Sequence, residues 1–146
     1  MADKQILLVE DKPDLKLLTC SAIEAAAPGC EVIWAREGRQ ALDYLWARAD
    51  FACRDPGEQP ALVILDMHLP DLPGLQVLQL LRGHRSTAVL PVVMLTSSRL
   101  PQDVLACYQS GANGYVSKPV SFAQYRRKIG GLVDFWLEVN ETAACS

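Results

Sequence analysis

At 146 residues, half of them hydrophobic and 21% charged, with a formal net charge of -3, the chain has the balance of a soluble globular protein long enough for one real core. The acidic excess speaks against a protein that works by neutralising nucleic-acid phosphates, and no apolar run approaches the ~20 residues a membrane-spanning helix needs. The amino end lacks a signal-peptide layout, and five scattered cysteines (Cys20, Cys30, Cys53, Cys107, Cys145) with no CxxC fit reduced thiols and a cytoplasmic location.

Short β-like runs alternate with helix-like segments five times. The run QILLVED, residues 5–11, is continuously apolar and ends in two acids. Pro13 suits the first turn of a helix carrying Leu15, Leu17, Leu18 and Ile23 that stops at Pro28 and Gly29. CEVIWA, residues 30–35, is a second strand. GRQALDYLWARA follows, with Ala41, Leu42, Leu45 and Trp46 at helical spacing. Residues 51–60, FACRDPGEQP, read as a loop from their Pro, Gly and charges. ALVIL, ending at Asp66, is the third strand, with LQVLQLLR its helix. LPVVMLTSS is the fourth, followed by the helix PQDVLACYQSGA, for which Gly111 suits the C-cap. NGYVSKP is a short fifth strand. SFAQYRRKIGGLVDFWLEV closes the domain as one long helix, despite Gly130 and Gly131. Cys20, Cys30 and Cys107 sit among apolar neighbours and read as small core residues, while Cys145 falls in the tail. No repeat or linker divides the chain, so residues 1–140 form one domain and residues 141–146 a short tail.

Strands apolar throughout, alternating with helices, predict a parallel sheet covered on both faces, a doubly wound α/β domain. Ligands in such sheets bind outside the carboxyl ends of the strands. The polar residues predicted there are Glu10 and Asp11 after the first strand, Asp66 after the third, Thr96 at the end of the fourth and Lys118 after the fifth. Three converging carboxylates repel: two unit charges ~4 Å apart cost about 4 kcal/mol at an effective dielectric near 20. Proton uptake or a cation must offset this. An all-oxygen set suits Mg²⁺ before Zn²⁺. An aspartate beside Mg²⁺, a lysine and a hydroxyl is equipped to attack a phosphoryl group, giving an aspartyl phosphate on Asp66. Taken singly, each residue has a plainer role: Glu10 and Asp11 as an acidic helix start, Thr96 as a β-former, Lys118 as a turn residue. His84 and the YRRK run read as solvated.

The motifs LLVED, VILDMHLPDLPG, VVMLTSS and GANGYVSKP, in this order and spacing, resemble the receiver domain of two-component response regulators across nearly the whole chain. The resemblance implies a flavodoxin-like (βα)5 fold with strand order 2-1-3-4-5. It also implies Mg²⁺ held by Asp11 and Asp66 with Glu10 assisting, plus the backbone carbonyl of His68, whose ring stays exposed. Asp66 would be phosphorylated by a histidine kinase, Lys118 would contact the phosphoryl group, and Thr96 with Tyr115 would report it. His68 and Ser98 would influence the lifetime of the phosphoryl group, and the Lys118–Pro119 bond would be cis. The loop over residues 51–60, LTSS and DFWLEV are similar to the single-domain regulators that work with bacterial phytochromes.

In the last helix, Phe122, Tyr125, Ile129, Leu132, Val133 and Trp136 fall on one stripe at helical spacing and are expected to pack on the sheet. Phe135 and Val139 fall off it, suggesting a homodimer or partner surface on the fourth and fifth helices and the strand between. The tail is too short for an output domain, so output is expected through protein contact or onward phosphotransfer, without nucleic acid or membrane. The leading reading is a phosphoacceptor switch and not an enzyme. The alternative is a Mg²⁺-dependent phosphohydrolase acting through an aspartyl phosphate; there an acid/base Asp stands two residues after the nucleophile, where this chain has His68. A degenerate receiver is disfavoured because all five key residues are present. Flavin binding is disfavoured because no phosphate-cradling loop follows the first strand.

Overall fold

A computed structural model describes residues 4–143. Five strands, β1 (Gln5–Val9), β2 (Glu31–Ala35), β3 (Leu62–Leu65), β4 (Val92–Thr96) and β5 (Gly114–Ser117), form one parallel sheet in the order β2-β1-β3-β4-β5. The helices are α1 (Pro13–Ala26), α2 (Gly38–Leu45), α3 (Gly74–Arg82), α4 (Pro101–Gln109) and α5 (Phe122–Asp134). This is the expected flavodoxin-like architecture. None of the helices among the described residues is long and apolar enough to cross a membrane.

The continuous apolar strands follow from a sheet with two cores. Leu7, Val9, Val63, Leu65, Val92 and Met94 face a core shared with α2, α3 and Cys107 of α4. Ile6, Leu8, Leu62, Ile64, Val93 and Leu95 face the other, closed by Ala22 and Ile23 of α1 and by Tyr125, Ile129 and Val133 of α5. Every second side chain enters one layer and its neighbours enter the other. Cys107 is fully buried as expected, whereas Cys20 and Cys30 are half-buried at the border of the second core and Cys53 is exposed. Cys145 lies outside the described residues.

Gly111 ends α4 as expected. It takes φ +103°, and the N–H groups of Gly111 and Ala112 donate to the carbonyls of Tyr108 and Cys107, the paired bonds of a Schellman ending. A Cβ there would meet the Arg82 side chain at 2.9 Å. Arg82 needs that space, because it donates to the carbonyls of Gly111, Thr87 and Leu90 and to Asn113 Oδ1, fastening α3 to the start of β5.

Three expectations are corrected. First, α2 stops at Leu45 instead of running on to Ala49, and Ala47 and Ala49 take φ of 54° and 53°. The terminal carbonyls of Tyr44 and Leu45 are taken by Arg54 and Gln59 from the following loop, which cap the helix from a distance. Second, the closing helix widens into a π-helical turn over Phe135–Val139. The buried residues Tyr125, Ile129, Val133 and Leu137 stand four apart. In an ideal α-helix each such step overshoots a turn by about 40°, so the wider turn brings Leu137 back to the core. Phe122, in the first turn, is instead 53% exposed, and the cover of the sheet begins at Tyr125. Third, the Lys118–Pro119 bond is trans, like every other peptide bond among the described residues, the isomer that X–Pro bonds favour by about 0.5–1 kcal/mol.

If the π turn sets which residues face inward, Leu137→Ala should cost about 2–5 kcal/mol of unfolding free energy. Phe135→Ala, two residues earlier on the exposed side, should cost well under half of that in the same denaturant titration.

Candidate functional site

The backbone ladder delivers the acidic residues to the carboxyl rim of the sheet. Beyond β1, the Glu10 N–H donates to the Ala35 carbonyl (3.0 Å), and the Asp66 N–H donates to the Val9 carbonyl (3.1 Å). Val9 and Leu65 are in register, so the residues after them stand side by side. On the other flank, the Lys118 N–H donates to the carbonyl of Thr96 at 2.7 Å. Lys118 extends from the β5 end across β4, and its ammonium meets Glu10 Oε1 at 3.0 Å and Asp66 Oδ2 at 3.2 Å. Glu10, Asp66 and Thr96 are all buried.

The rim is electrically crowded. Glu10, Asp11 and Asp66 each place a carboxylate oxygen within 4.8 Å of the others, while one ammonium serves two of them. Burial pushes the Glu10 carboxyl above its usual range, the Asp66 charge pushes it further, and Lys118 pulls only partly back. Burial alone would lower the Lys118 pKa, but the fields of Asp66 and Glu10 outweigh it and hold the amine above its ordinary value. The residues fit a hard divalent cation: the donors are all carboxylate oxygens, and Asp11 Oδ1 is buried with no hydrogen-bond partner. A dication there would satisfy that oxygen and cancel the two negative charges left when three carboxylates face one ammonium.

The loop after Asp66 is held at three points. The His68 N–H donates to Asp66 Oδ1 at 3.2 Å, and the ring of His68 is exposed. The Gly74 N–H donates to the Met67 carbonyl at 2.8 Å, and a Cβ on Gly74 would lie 2.1 Å from the Asp66 carbonyl oxygen. Only glycine permits that approach. Asp71 accepts from the backbone N–H groups of Gly38 and Arg39, both at 2.8 Å, and so caps α2, whose own N-cap residue Glu37 makes no side-chain cap bond.

On the β4 side, Thr96 Oγ1 accepts from the Ser98 N–H at 3.4 Å, and the Tyr115 hydroxyl donates to the Ser98 carbonyl at 2.9 Å. The Ser98 hydroxyl donates to Asp103 in the first turn of α4. Tyr115 and Cys107 both approach the sulfur of Met67, at 3.8 and 3.9 Å. Thr96 and Tyr115 are thus joined through Ser98. Phe135 and Val139 lie away from the rim, exposed near the end of α5.

The family model for the response regulator receiver domain matches residues 6–130. The chain belongs to this receiver-domain family. Among relatives, response regulator Rcp1 of Synechocystis sp. is 30% identical over 92% of this receiver and 90% of its own length, and an Mn²⁺-bound crystal structure of Rcp1 matches with a TM-score of 0.88 over 97% of this chain and 99% of that one. The phosphorylated cyanobacterial phytochrome response regulator RcpA matches with a TM-score of 0.89 at 29% identity, covering 97% and 99% of the two chains. The bacteriophytochrome response regulator RtBRR is 45% identical, with a TM-score of 0.77 and coverage of 99% and 87%. The receiver is therefore related to phytochrome-associated regulators, as the loop and tail motifs suggested.

Sequence reasoning named the acids, the hydroxyl, the aromatic and the lysine of the receiver, but gave no role to Asp71, Met67 or Trp34, whose indole N–H donates to the Glu10 carbonyl at 2.7 Å. A loop aspartate and a strand tryptophan carry no local sign of their partners. His84 is exposed as expected, but it is also held in place. Its ring stacks on Trp46 at 4.7 Å and its Nδ1 accepts from the Ser86 N–H.

The slight burial of Asp71 would raise its pKa, but the N–H bonds from Arg39 and Gly38 win and hold it below the ordinary carboxyl value. A lowered folded pKa stabilises above the unfolded value of 3.8 and loses that stabilisation as pH falls through the folded value. Asp71→Ala should cost about 1 kcal/mol at pH 7, as for a lost helix cap. In thermal unfolding, the gap between wild type and variant should narrow as pH is lowered through this range.

Proposed function

We propose that this receiver accepts a phosphoryl group on Asp66 from a sensor histidine kinase, a bacterial phytochrome in particular, and acts as a cytoplasmic switch in two-component signalling. The observation that carries the reading is the Lys118 ammonium bridging Glu10 and Asp66 beside the unpartnered Asp11 oxygen. A nucleophile, a fixed cation and a vacant acceptor for a second cation stand together at a strand rim. The acidic cluster and the Mn²⁺-bound relative support a divalent ion, and Mg²⁺ is the hard ion suited to this oxygen set. Asp11, Asp66 and Glu10 would hold it, with the His68 carbonyl. Bound there, the ion supplies neutralisation of phosphoryl oxygens.

The residues then divide the work. The carboxylate of Asp66 attacks phosphorus while the bond to the kinase's histidine nitrogen breaks, and that nitrogen regains a proton. Lys118 follows the charge from the carboxylate to the phosphoryl oxygens. Thr96, released from the Ser98 N–H, donates its hydroxyl to one of them. Because the Ser98 carbonyl holds Tyr115, the change reaches β5 and α4. The domain spans residues 1–140, with residues 141–146 a tail. The receiver catalyses only its own phosphorylation and dephosphorylation, and its output passes to a downstream protein or phosphotransfer partner, with no role for nucleic acid or membrane.

Exposed Leu100 at the N-cap of α4, Leu105 and Tyr108 on that helix, and Phe135 and Val139 beyond α5 support a partner surface and a homodimer on this side. Sedimentation at tens of micromolar should show dimers that Phe135→Ala weakens, and a monomer with and without phosphorylation would remove that part of the reading.

Asp66→Asn should abolish labelling by an acyl phosphate or a cognate kinase; labelling of the wild type should require Mg²⁺, and Asp11→Ala should eliminate the Mg²⁺-dependent response. Retained labelling of Asp66→Asn would count against the assignment. Many turnovers on a phosphomonoester would favour the phosphohydrolase alternative.

A further inference from the structure

Parallel pairing between β1 and β2 alternates donors from one strand to the other. The Glu31 N–H donates to the Lys4 carbonyl at 2.9 Å, and at the far end the Glu10 N–H donates to the Ala35 carbonyl at 3.0 Å. Continued by the same step, the next rung would run from the Glu37 N–H to the Glu10 carbonyl. Glu37 is instead the N-cap of α2, where the chain leaves the sheet, and the Arg36 N–H turns to Gln40 Oε1 at 2.8 Å. The indole N–H of Trp34 takes the vacated place, 2.7 Å from the Glu10 oxygen. A side chain thus supplies the last rung of the sheet, at the peptide that joins two of the three clustered acids.

We propose that Trp34 is a positioning residue for the divalent-cation site, setting the direction in which Asp11 presents its carboxylate. This rests on the phosphoacceptor reading given above. The Glu10–Asp11 peptide is a rigid plane. The Ala35 carbonyl holds the residue before that plane and Trp34 holds its oxygen, so the bond leading into Asp11 has its direction fixed. The Glu10 carboxylate is held separately, by Lys118 and by the Lys12 N–H at 3.2 Å. Asp11 Oδ1 has no such tie, so its aim depends on the backbone that Trp34 anchors. The indole is itself held in place. Trp34 stands in register with Leu8 on the face that α1 covers, with the Lys16 ammonium 4.8 Å and the Arg36 guanidinium 5.0 Å from its ring centre. The other tryptophans have different partners: the Trp46 indole donates to Thr87 at 3.2 Å, and Trp136 packs edge-on against Phe135.

The test uses the full chain and MgCl₂ alone. Trp34→Phe keeps an aromatic ring beside Lys16 and Arg36 but removes the donor, and it should weaken Mg²⁺ binding about 3- to 10-fold in calorimetry, the worth of one net hydrogen bond. In the wild type with ¹⁵N-labelled indoles, the resonance that Trp34→Phe deletes should shift along the Mg²⁺ titration with the calorimetric Kd. The resonances deleted by Trp46→Phe and Trp136→Phe should stay in place. Wild-type affinity in a folded Trp34→Phe, or a Trp34 resonance indifferent to Mg²⁺, overturns the proposal while leaving the phosphoacceptor reading intact. If Trp34→Phe does not fold, the Trp34 resonance is the one that remains after Trp46→Phe and Trp136→Phe have each deleted their own, and its response to Mg²⁺ decides. A wild-type chain that binds no Mg²⁺ overturns both.

Discussion

Three carboxylates gathered at one sheet rim with a single ammonium are the constraint from which the rest of the structure takes its shape. Each like-charged pair at such distances costs on the order of a few kcal/mol, and burial adds to the cost for Glu10. No local preference would assemble this group. It persists because four strands, each locked into a parallel ladder between two apolar layers, bring their ends to the same edge. The cores that hold the sheet therefore also hold the repulsion, and the strain concentrates where chemistry can use it. A divalent cation bound at the rim would relieve part of that repulsion, because it would face the three carboxylates with the charge that Lys118 alone does not supply.

The segments around the rim are tied in a way that carries such a change outward. Asp66 is followed by Met67, whose sulfur touches Tyr115 and Cys107, on β5 and α4 respectively. Thr96 leads through Ser98 to Tyr115 and to Asp103 of α4. Two short chains of contact thus leave neighbouring rim residues and end on the same pair of elements. The third tie, Asp71 to the start of α2, points the other way and steadies the loop against the first core. A loop fixed at Gly74 and at Asp71 concentrates its adjustment in the few residues between Asp66 and those anchors.

Much of this was legible in the sequence because the sheet's demands are periodic and local. Strands buried on both faces must be apolar throughout, and acids, a hydroxyl and a lysine that interrupt them at their carboxyl ends stand out for that reason. What was not legible depends on residues distant in the chain. The end of α2 is set by Arg54 and Gln59, which cap it from a segment that reads as loop. The inward turn of Leu137 depends on a π-helical widening that a fixed helical period cannot express, and the same period placed Phe122 on the sheet when the first turn overhangs it. Trp34 reads as an ordinary strand aromatic, since nothing nearby in sequence shows that its indole completes the ladder of the neighbouring strand.

β5 joins these matters. It is only four residues long, lies at the edge of the sheet, and presents Tyr115 within the strand and Lys118 just past its end. Its outer side borders a groove lined by Val116, Ser117, Arg127, Leu132 and Phe135, and the Lys128 ammonium covers the Ser117 carbonyl, a charged guard of the kind that keeps an open edge from pairing indiscriminately. A partner seated in that groove would bear on the same strand that carries Tyr115 and leads directly to Lys118. In so short a strand, the register that places Lys118 beside Asp66 and the surface that borders the groove belong to the same few residues. If a partner in that groove prefers one state of β5, reciprocity requires it to favour the matching state of the rim as well.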